Sequence, residues 1–320
     1  MKLPRRQFLH LTAGTAILPA IVRAQSYPTR PVHIIVGFPA GLAADVVARL
    51  VADPLSQRIG VPVIVENRPG AAGNIGTEVV VRSAPDGYTL LGAISGNAIN
   101  AALYPNLTFN FVRDTAAVAL LGFTPYVMLV NPFVPAKTIP EFIAYAKRNP
   151  AKVNMASPGS GTAPHLSGEL FKMMTGLTTV HVPYRANFLP DLISGQVQVA
   201  FIAVAPVLSY IQSGQLRVLG VTSPARMDVL PDIPAIAEFV PGYEGSGWMG
   251  VCAPKNTPST VVDWLNKEIT AVIADPAMKK RLIAAGVEPT PMTPDQFSTL
   301  IVDAADKWAK VIKFAGIKPD

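Results

Sequence analysis

From residue 31 onward, short β-branched runs alternate with stretches in which apolar side chains recur every three to four positions, the pattern of βαβ units. VHIIVGF (32–38) reads as a buried strand and AADVVARLVADPLSQRI (43–59) as the helix that follows it. VPVIVEN (61–67) and YTLLGAI (88–94) read as strands flanking GAAGNIGTEVVVRSAPDG (70–87). A second series begins after VALLGFTPYVMLVNP (118–132), with strands VNMAS (153–157), TTVHVPY (178–184), VQVAFIA (197–203) and LRVLGVTS (216–223). Helices HLSGELFKMMTG (165–176) and APVLSYIQSGQ (205–215) lie between them. The alternation predicts an α/β protein with largely parallel sheets.

Punctuation sharpens the helix boundaries. Thr138 with Glu141 three residues on forms a capping box, Pro140 sits in the first turn, and the helix stops before Pro150. Near the C-terminus, Thr257–Pro258, Asp275–Pro276 and Thr293–Pro294 with Gln296 each predict a capping residue ahead of a proline at the first helical position. No low-complexity linker or tandem repeat separates the two series, which predicts intimately associated domains.

Composition changes the picture at the N-terminus. Residues 1–24 have a basic start, a short apolar middle and Val22 and Ala24 at the minus-three and minus-one positions of a cleaved export signal. Arg5 and Arg6 followed by Gln7, Phe8 and Leu9 resemble a twin-arginine signal. Cleavage near Ala24 would leave the mature chain in the periplasm. It would also remove Lys2, Arg5, Arg6 and Arg23, so 27 basic against 21 acidic residues become 23 against 21. The apparent basicity therefore says little about partners, and no basic run interleaved with aromatics points to nucleic acid. Beyond the signal no apolar run reaches the roughly 18 residues of a bilayer span. The single cysteine, Cys252, sits in an apolar strand and excludes an internal disulfide.

Catalytic signatures are absent: there is no phosphate-binding P-loop, no His-Glu-x-x-His, no Gly-x-Ser-x-Gly and no Cys/His spacing for zinc. No cofactor or metal is expected. The histidines, His10, His33, His165 and His181, are scattered along the chain. His165 follows Ser160 by five residues; it can order its loop, contact a ligand or serve Ser160 as a base, and the sequence supplies no third group for the last role.

Two turns share one logic. SPGSGTAPHLSGEL (157–170) and GFPAGLAADVVAR (37–49) each put small residues between a strand and a helix start, where main-chain N–H groups and the helix dipole suit an anion. An ordinary capped turn is the other reading. Asp45 and Arg49 are four apart and read as a structural ion pair on one helix face. Two open α/β domains with such turns at strand C-termini would form a cleft for one carboxylate.

The stretch VENRPGAAGNIGTEVVVRSAPDGYTLL (65–91), followed in order by GSGTAPHLSGELFK, HVPYR, SGQVQVAF, LRVLGVTS, LPDIPAIAE and PGYE, resembles the Bug-type periplasmic solute receptors of tripartite tricarboxylate transporters. The resemblance implies a two-lobed type II periplasmic binding protein fold with the ligand cleft between lobes. Residues 27–123 with 247–320 would form one lobe and 124–246 the other. It implies capture of a small carboxylate or dicarboxylate and delivery to integral membrane permease subunits, without turnover. A periplasmic enzyme on the same fold and a ligand-loaded partner of a sensor protein are the alternatives.

The binding residues the resemblance carries over are Phe38, Ala40, Gly41, Leu42, Ala43 and Ala44 in the first turn and Ser95 and Asn97 in a third loop. In the second lobe they are Ser157, Gly159, Ser160, Gly161 and Thr162 and, in the turn after Tyr184, Ala186; His165 and Ala203 are further candidates, and Arg185, Asn187 and Phe188 enter with a departure from the family loop that adds a charged or amide contact. Two departures bear on specificity. Gly41, Leu42, Ala43 and Ala44 stand where the family pattern has paired glycines and a hydroxyl, and RANFLPDL makes a shorter loop. Leu42 and Phe188 are thus the candidates for packing an apolar ligand body.

Overall fold

The structure, a computed structural model, describes residues 27–184 and 186–318; the export-signal reading of residues 1–24 and the Arg185 assignment lie outside them. The chain begins β1 (Val32–Val36), α1 (Ala43–Ile59), β2 (Val63–Asn67), α2 (Asn74–Val81), β3 (Thr89–Ile94), α3 (Ser95–Leu103) and α4 (Phe111–Asp114). It continues with β4 (Thr115–Thr124), β5 (Tyr126–Val130), α5 (Ile139–Arg148), β6 (Asn154–Ser157), α6 (Ala163–Thr175), β7 (Val180–Pro183) and α7 (Leu189–Ser194). The last elements are β8 (Val199–Ala203), α8 (Leu208–Gln212), β9 (Arg217–Val221), β10 (Gly247–Pro254), α9 (Ser259–Ala274), α10 (Pro276–Ala284) and α11 (Pro294–Ala315).

Two five-stranded sheets result, in the orders β2-β1-β3-β10-β4 and β7-β6-β8-β5-β9. In the first, β1 runs parallel to β2 and β3, while β10 is antiparallel to β3 and β4. In the second, β6 runs parallel to β7 and β8, while β5 is antiparallel to β8 and β9. The expectation of largely parallel sheets is corrected: each has one reversed strand inside it, so half the pairings are antiparallel. The cause is the route of the chain. β4 passes into β5 across Pro125 alone, and β10 returns from the second half to pair along the length of β4, Gly247 opposite Thr124.

Amphipathic spacing fixes the helices. α1 buries Val47, Ala48, Val51, Ala52 and Leu55 and ends at Gly60, whose φ of 74° only glycine takes without strain. Of the predicted caps, Asp275 accepts the N–H groups of Ala277 and Met278, and Thr293 forms a full box with Gln296. Thr138 accepts from the Glu141 N–H, but the Glu141 carboxylate takes the Lys137 N–H instead of closing the box. Thr257 does not cap: its hydroxyl turns back to the Pro254 carbonyl and Pro258 stands at the cap position itself. The core is continuous across the two sheets, since Phe297 and Trp308 of α11, Phe171 of α6 and Tyr243 share one buried cluster with Leu91 of β3 and Phe201 of β8.

The glycines of the 65–91 stretch have a packing cause. A side chain on Gly37 would stand 2.7 Å from the Gly73 carbonyl oxygen, and one on Gly76 2.8 Å from the Gly37 Cα and 3.1 Å from the Arg68 carbonyl oxygen. Backbone thus meets backbone where α2 lies against the end of β1, directly beneath the β1–α1 turn. Gly76→Ala is expected to lose about 2 kcal/mol of stability in denaturant unfolding, because backbone cannot yield as a side chain can. Gly60→Ala, with open space around it, should lose only about 1 kcal/mol, from its positive φ. Equal losses would contradict the close-approach explanation.

Candidate functional site

A helix start leaves its first N–H groups without intrahelical partners and concentrates partial positive charge there. In α5, α10 and α11 a side chain satisfies part of that deficit. α1 and α6 have no such cap. Leu42 at the α1 cap position has no acceptor to offer, and the Thr162 hydroxyl at the α6 cap turns back to the Gly159 carbonyl at 2.8 Å. α3 begins at Ser95, where Asn97 folds back to accept the Ile94 N–H at 2.8 Å.

These three helix starts, each fed by the C-terminal end of a strand, border one cavity of about 370 Å³. Phe38, Leu42, Ala43 and Ala44 line it from the first turn; Ser95, Gly96, Leu103 and Tyr104 from α3 and its end; Ser160, Gly161, Thr162 and Ala163 from the α6 start. Thr124, Tyr126, Trp248 and Met249 close the floor from the strands that cross between the sheets. None of the lining residues is Asp, Glu, Lys, Arg or His. What the cavity offers is main-chain donors, a few hydroxyls and a large apolar and aromatic surface.

Eight of the residues singled out in the sequence therefore meet at this cavity: Phe38, Leu42, Ala43, Ala44, Ser95, Ser160, Gly161 and Thr162. The others are elsewhere, for identifiable reasons. The Gly41 N–H is taken by Asp45 Oδ2 at 2.8 Å, so it is not offered to a guest, and neither Ala40 nor Gly41 lines the cavity. Asn97 spends both polar atoms internally, its amide donating to Thr77 Oγ1 at 2.9 Å. Ser157 is buried and bonds His181 Nε2 at 2.7 Å, and the Gly159 N–H returns to Ser157 Oγ at 3.2 Å.

Phe188 is 3% exposed within the apolar cluster of the second sheet, beside Tyr184, which corrects its assignment as a ligand-packing group. Asn187 accepts the Leu189 N–H at 3.0 Å, and Ala186 lies beside it outside the cavity lining. Ala203 pairs with Tyr126 in the β8–β5 ladder without lining the cavity. The bare glycine amides of 157–162 are thus partly satisfied from within: the Gly161 N–H also has a partner, His165 Nδ1, at 3.0 Å.

His165 borders a different, polar cavity of about 530 Å³ behind that loop, together with Glu169, Lys172, His181 and the end of α11. The histidines are not isolated, as their sequence positions suggested. The rings of His165 and His181 stack at 3.5 Å and 13°. Burial first, then the neighbouring His165, pushes His181 down to about 4, so it is neutral at ordinary pH. Burial raises Glu169, but its bonds to His165 and Lys172 hold it below the usual carboxylate range. His165 Nδ1 accepts from Gly161 and Nε2 faces Glu169 Oε1 at 3.5 Å, so neither ring nitrogen serves as base to Ser160. Cys252 is buried in β10, and burial pushes its thiol up to about 12.

Asp45 and Arg49 pair at 2.9 Å as expected, and the carboxylate does more. It also accepts the Gly41 N–H and, at 2.8 Å, the Asn67 amide. Burial raises this carboxyl, but those bonds and Arg49 together hold it below its usual range.

Sequence reasoning placed Trp248 at the return crossover as a reporter of binding but missed Leu103, Tyr104, Thr124, Tyr126 and Met249. Two signals were available: the Thr-Pro-Tyr at the crossing from β4 to β5, and the Gly-Ser-Gly before Trp248. At Gly247 a side chain would stand 2.5 Å from Tyr126 Oη and 3.1 Å from Ser95 Oγ, so glycine there lets the crossing strands close beneath the cavity.

The tripartite tricarboxylate transporter family receptor, TctC, matches residues 47–317. Protein BugT of Bordetella pertussis is 36% identical over 310 residues, 95% of each chain. The structure of R. palustris Rpa4515 with adipate superposes with a TM-score of 0.76 at 32% identity, over 92% of this chain and 100% of that one. MatC from Rhodopseudomonas palustris with bound malate superposes with a TM-score of 0.72 at 28% identity, over 89% and 100%. The α/β architecture of two mixed sheets is that of these periplasmic solute-binding proteins, and the chain belongs to the family of tripartite tricarboxylate transporter receptors.

Proposed function

We propose that this chain captures a carboxylate with an apolar body in the cavity between its two sheets, and delivers it from the periplasm to membrane permease subunits. Residues 27–123 with 247–320 and residues 124–246 are read as the two lobes. The observation that carries the reading is the convergence of the α1, α3 and α6 starts on one cavity without a charged side chain. An anion there is held by main-chain donors and dipoles, and no buried cation is needed. The cavity lies within the range of about 300–1,000 Å³ of small-molecule sites.

The apolar body follows from the lining. Leu42 projects, half exposed, beside the α1 start, opposite Leu103, Trp248 and Met249. Adipate and malate bind the two relatives named above, and of these adipate better matches such a surface. A hydroxyl placed against Leu103 and Met249 loses its water without a partner. No residue here is read as catalytic.

Titration calorimetry with adipate, malate and benzoate tests this. Adipate or benzoate should bind at least about tenfold more tightly than malate, a difference of about 1.4 kcal/mol. Mass spectrometry should return each unchanged. Binding should alter tryptophan emission, and Trp248→Phe should remove that change, since Trp264 lies away from the cavity against Tyr27 and Trp308 on α11 does not line it. Preference for hydroxylated acids would contradict the apolar reading, and a new product would contradict the receptor reading.

A further inference from the structure

The loop 157–162 is a thin wall between the two cavities: Ser160 lines both. Its cleft-facing crest is Gly161, held at φ 73°. Gly161 is also where the second-sheet loop meets α3 of the first, because a side chain there would stand 2.6 Å from Leu103 Cδ2. The position of this one residue therefore sets how the wall closes against the opposite side of the cleft.

On the other side the wall hangs on His165. The Gly161 N–H donates to His165 Nδ1 at 3.0 Å, which requires that nitrogen to be unprotonated and places the ring hydrogen on Nε2, toward Glu169. His165 is 3% exposed, so water does not substitute readily for this bond.

The groups that face the ring are His181 of β7, stacked on it, and Glu169 and Lys172 of its own helix. Lys318, just after α11, borders the same cavity. Glu169 is itself paired with Lys172 Nζ at 2.8 Å. A proton on Nδ1 would set one donor against another at Gly161 and leave that N–H without an acceptor.

We propose that His165 is a positioning residue for ligand capture: its Nδ1, as acceptor of the Gly161 N–H, fixes the cleft wall against Leu103, and loss of that acceptor releases the wall and weakens binding. The binding half of this statement rests on the carboxylate reading above; the anchor half does not.

Nitrogen-15 NMR of the histidine-labelled and uniformly labelled protein reads the anchor without ligand. At about pH 7.5 His165 should be the Nε2–H tautomer and the Gly161 amide should be protected from exchange. His165→Leu should abolish that protection. His165→Asn, whose carboxamide oxygen can replace Nδ1 as acceptor without titrating, should keep it. Calorimetry with adipate then reads the consequence. At about pH 7.5 His165→Leu should bind adipate about tenfold more weakly than the wild type, and His165→Asn should stay within about threefold of it.

Equal adipate affinity in the wild type and His165→Leu, or an unprotected Gly161 amide in the wild type, would overturn the proposal. If the wild type bound none of adipate, malate and benzoate while the tautomer and the protected amide were as stated, the anchor would stand and the carboxylate reading would fall.

Discussion

Ala43→Asp is expected to fold like the wild type and to lose about 100-fold in affinity for adipate by calorimetry. Ala43 is the first residue of α1 and lines the cavity. A carboxylate there would occupy the field that the ligand needs. At about 4 Å and an effective dielectric of about 20, like charges repel by about 4 kcal/mol, and solvent at the open mouth reduces this to about 2–3 kcal/mol. The same charge favours the helix, since acids in a first turn stabilise by about 0.3–1 kcal/mol. Binding and stability thus move in opposite directions. Ala43→Asn, with no charge, should lose less than about fivefold. Unchanged adipate binding in Ala43→Asp would show that the α1 start does not hold the anion.

The largest stability effect is expected at Asp45. Three donors converge on its carboxylate: the Gly41 N–H, the Asn67 amide and Arg49 Nε. The Asn67 amide also reaches the Phe38 carbonyl at 3.0 Å, and Arg49 Nη2 donates to Asn67 Oδ1 at 2.9 Å, so one buried group ties the first turn to α1 and β2. Asp45→Ala leaves those donors facing an apolar gap and should cost about 3 kcal/mol in denaturant unfolding. Asp45→Asn, which keeps one acceptor oxygen, should recover about half of that.

The pH sign follows from the lowered folded-state value of this carboxyl. Its contribution is fully present above the ordinary aspartate range near about 4 and is lost as pH falls through the folded value. The wild type and Asp45→Ala should therefore converge in stability only below about pH 4. A constant gap down to the most acid conditions would contradict the role given to the charge.

Much of the fold was legible because it rests on local rules. The α1 stretch was read residue for residue from its apolar spacing, and Asp275 and Thr293 announced their helices by cap chemistry. What escaped was long-range. Nothing local in Gly247–Pro254 says that this strand runs backward between β3 and β4, so the mixed pairing was missed. Likewise His165 and His181 stack only because β7 lies beside β6, a register that no local pattern carries.

The site divides along the same line. The turns ahead of α1 and α6 were singled out as strand-to-helix turns rich in small residues, a sequence-level feature, and Ser95 through the family resemblance alone. The errors came from treating every glycine amide as free. Gly41 and Gly161 have exposed-looking turn sequences, yet Asp45 and His165, each four residues on, turn back to take their N–H groups. Phe188 failed for a different reason: an aromatic side chain after a shortened loop found more surface to bury in the core of its own sheet than in the cleft. The floor residues Tyr126 and Trp248 belong to strands that read simply as buried, and only their crossing turns them toward a ligand.

A crystal structure of the protein with adipate bound tests the central claim most directly. Carboxylate oxygens should lie about 2.7–3.2 Å from main-chain nitrogens of the α1 start at Ala43 or Ala44 on one side, and of the 160–163 segment on the other. The methylene chain should rest on Leu42, Leu103 and Trp248. Adipate seated instead in the polar cavity beside Lys172, or held in the cleft with those nitrogens directed away from it, would contradict the account.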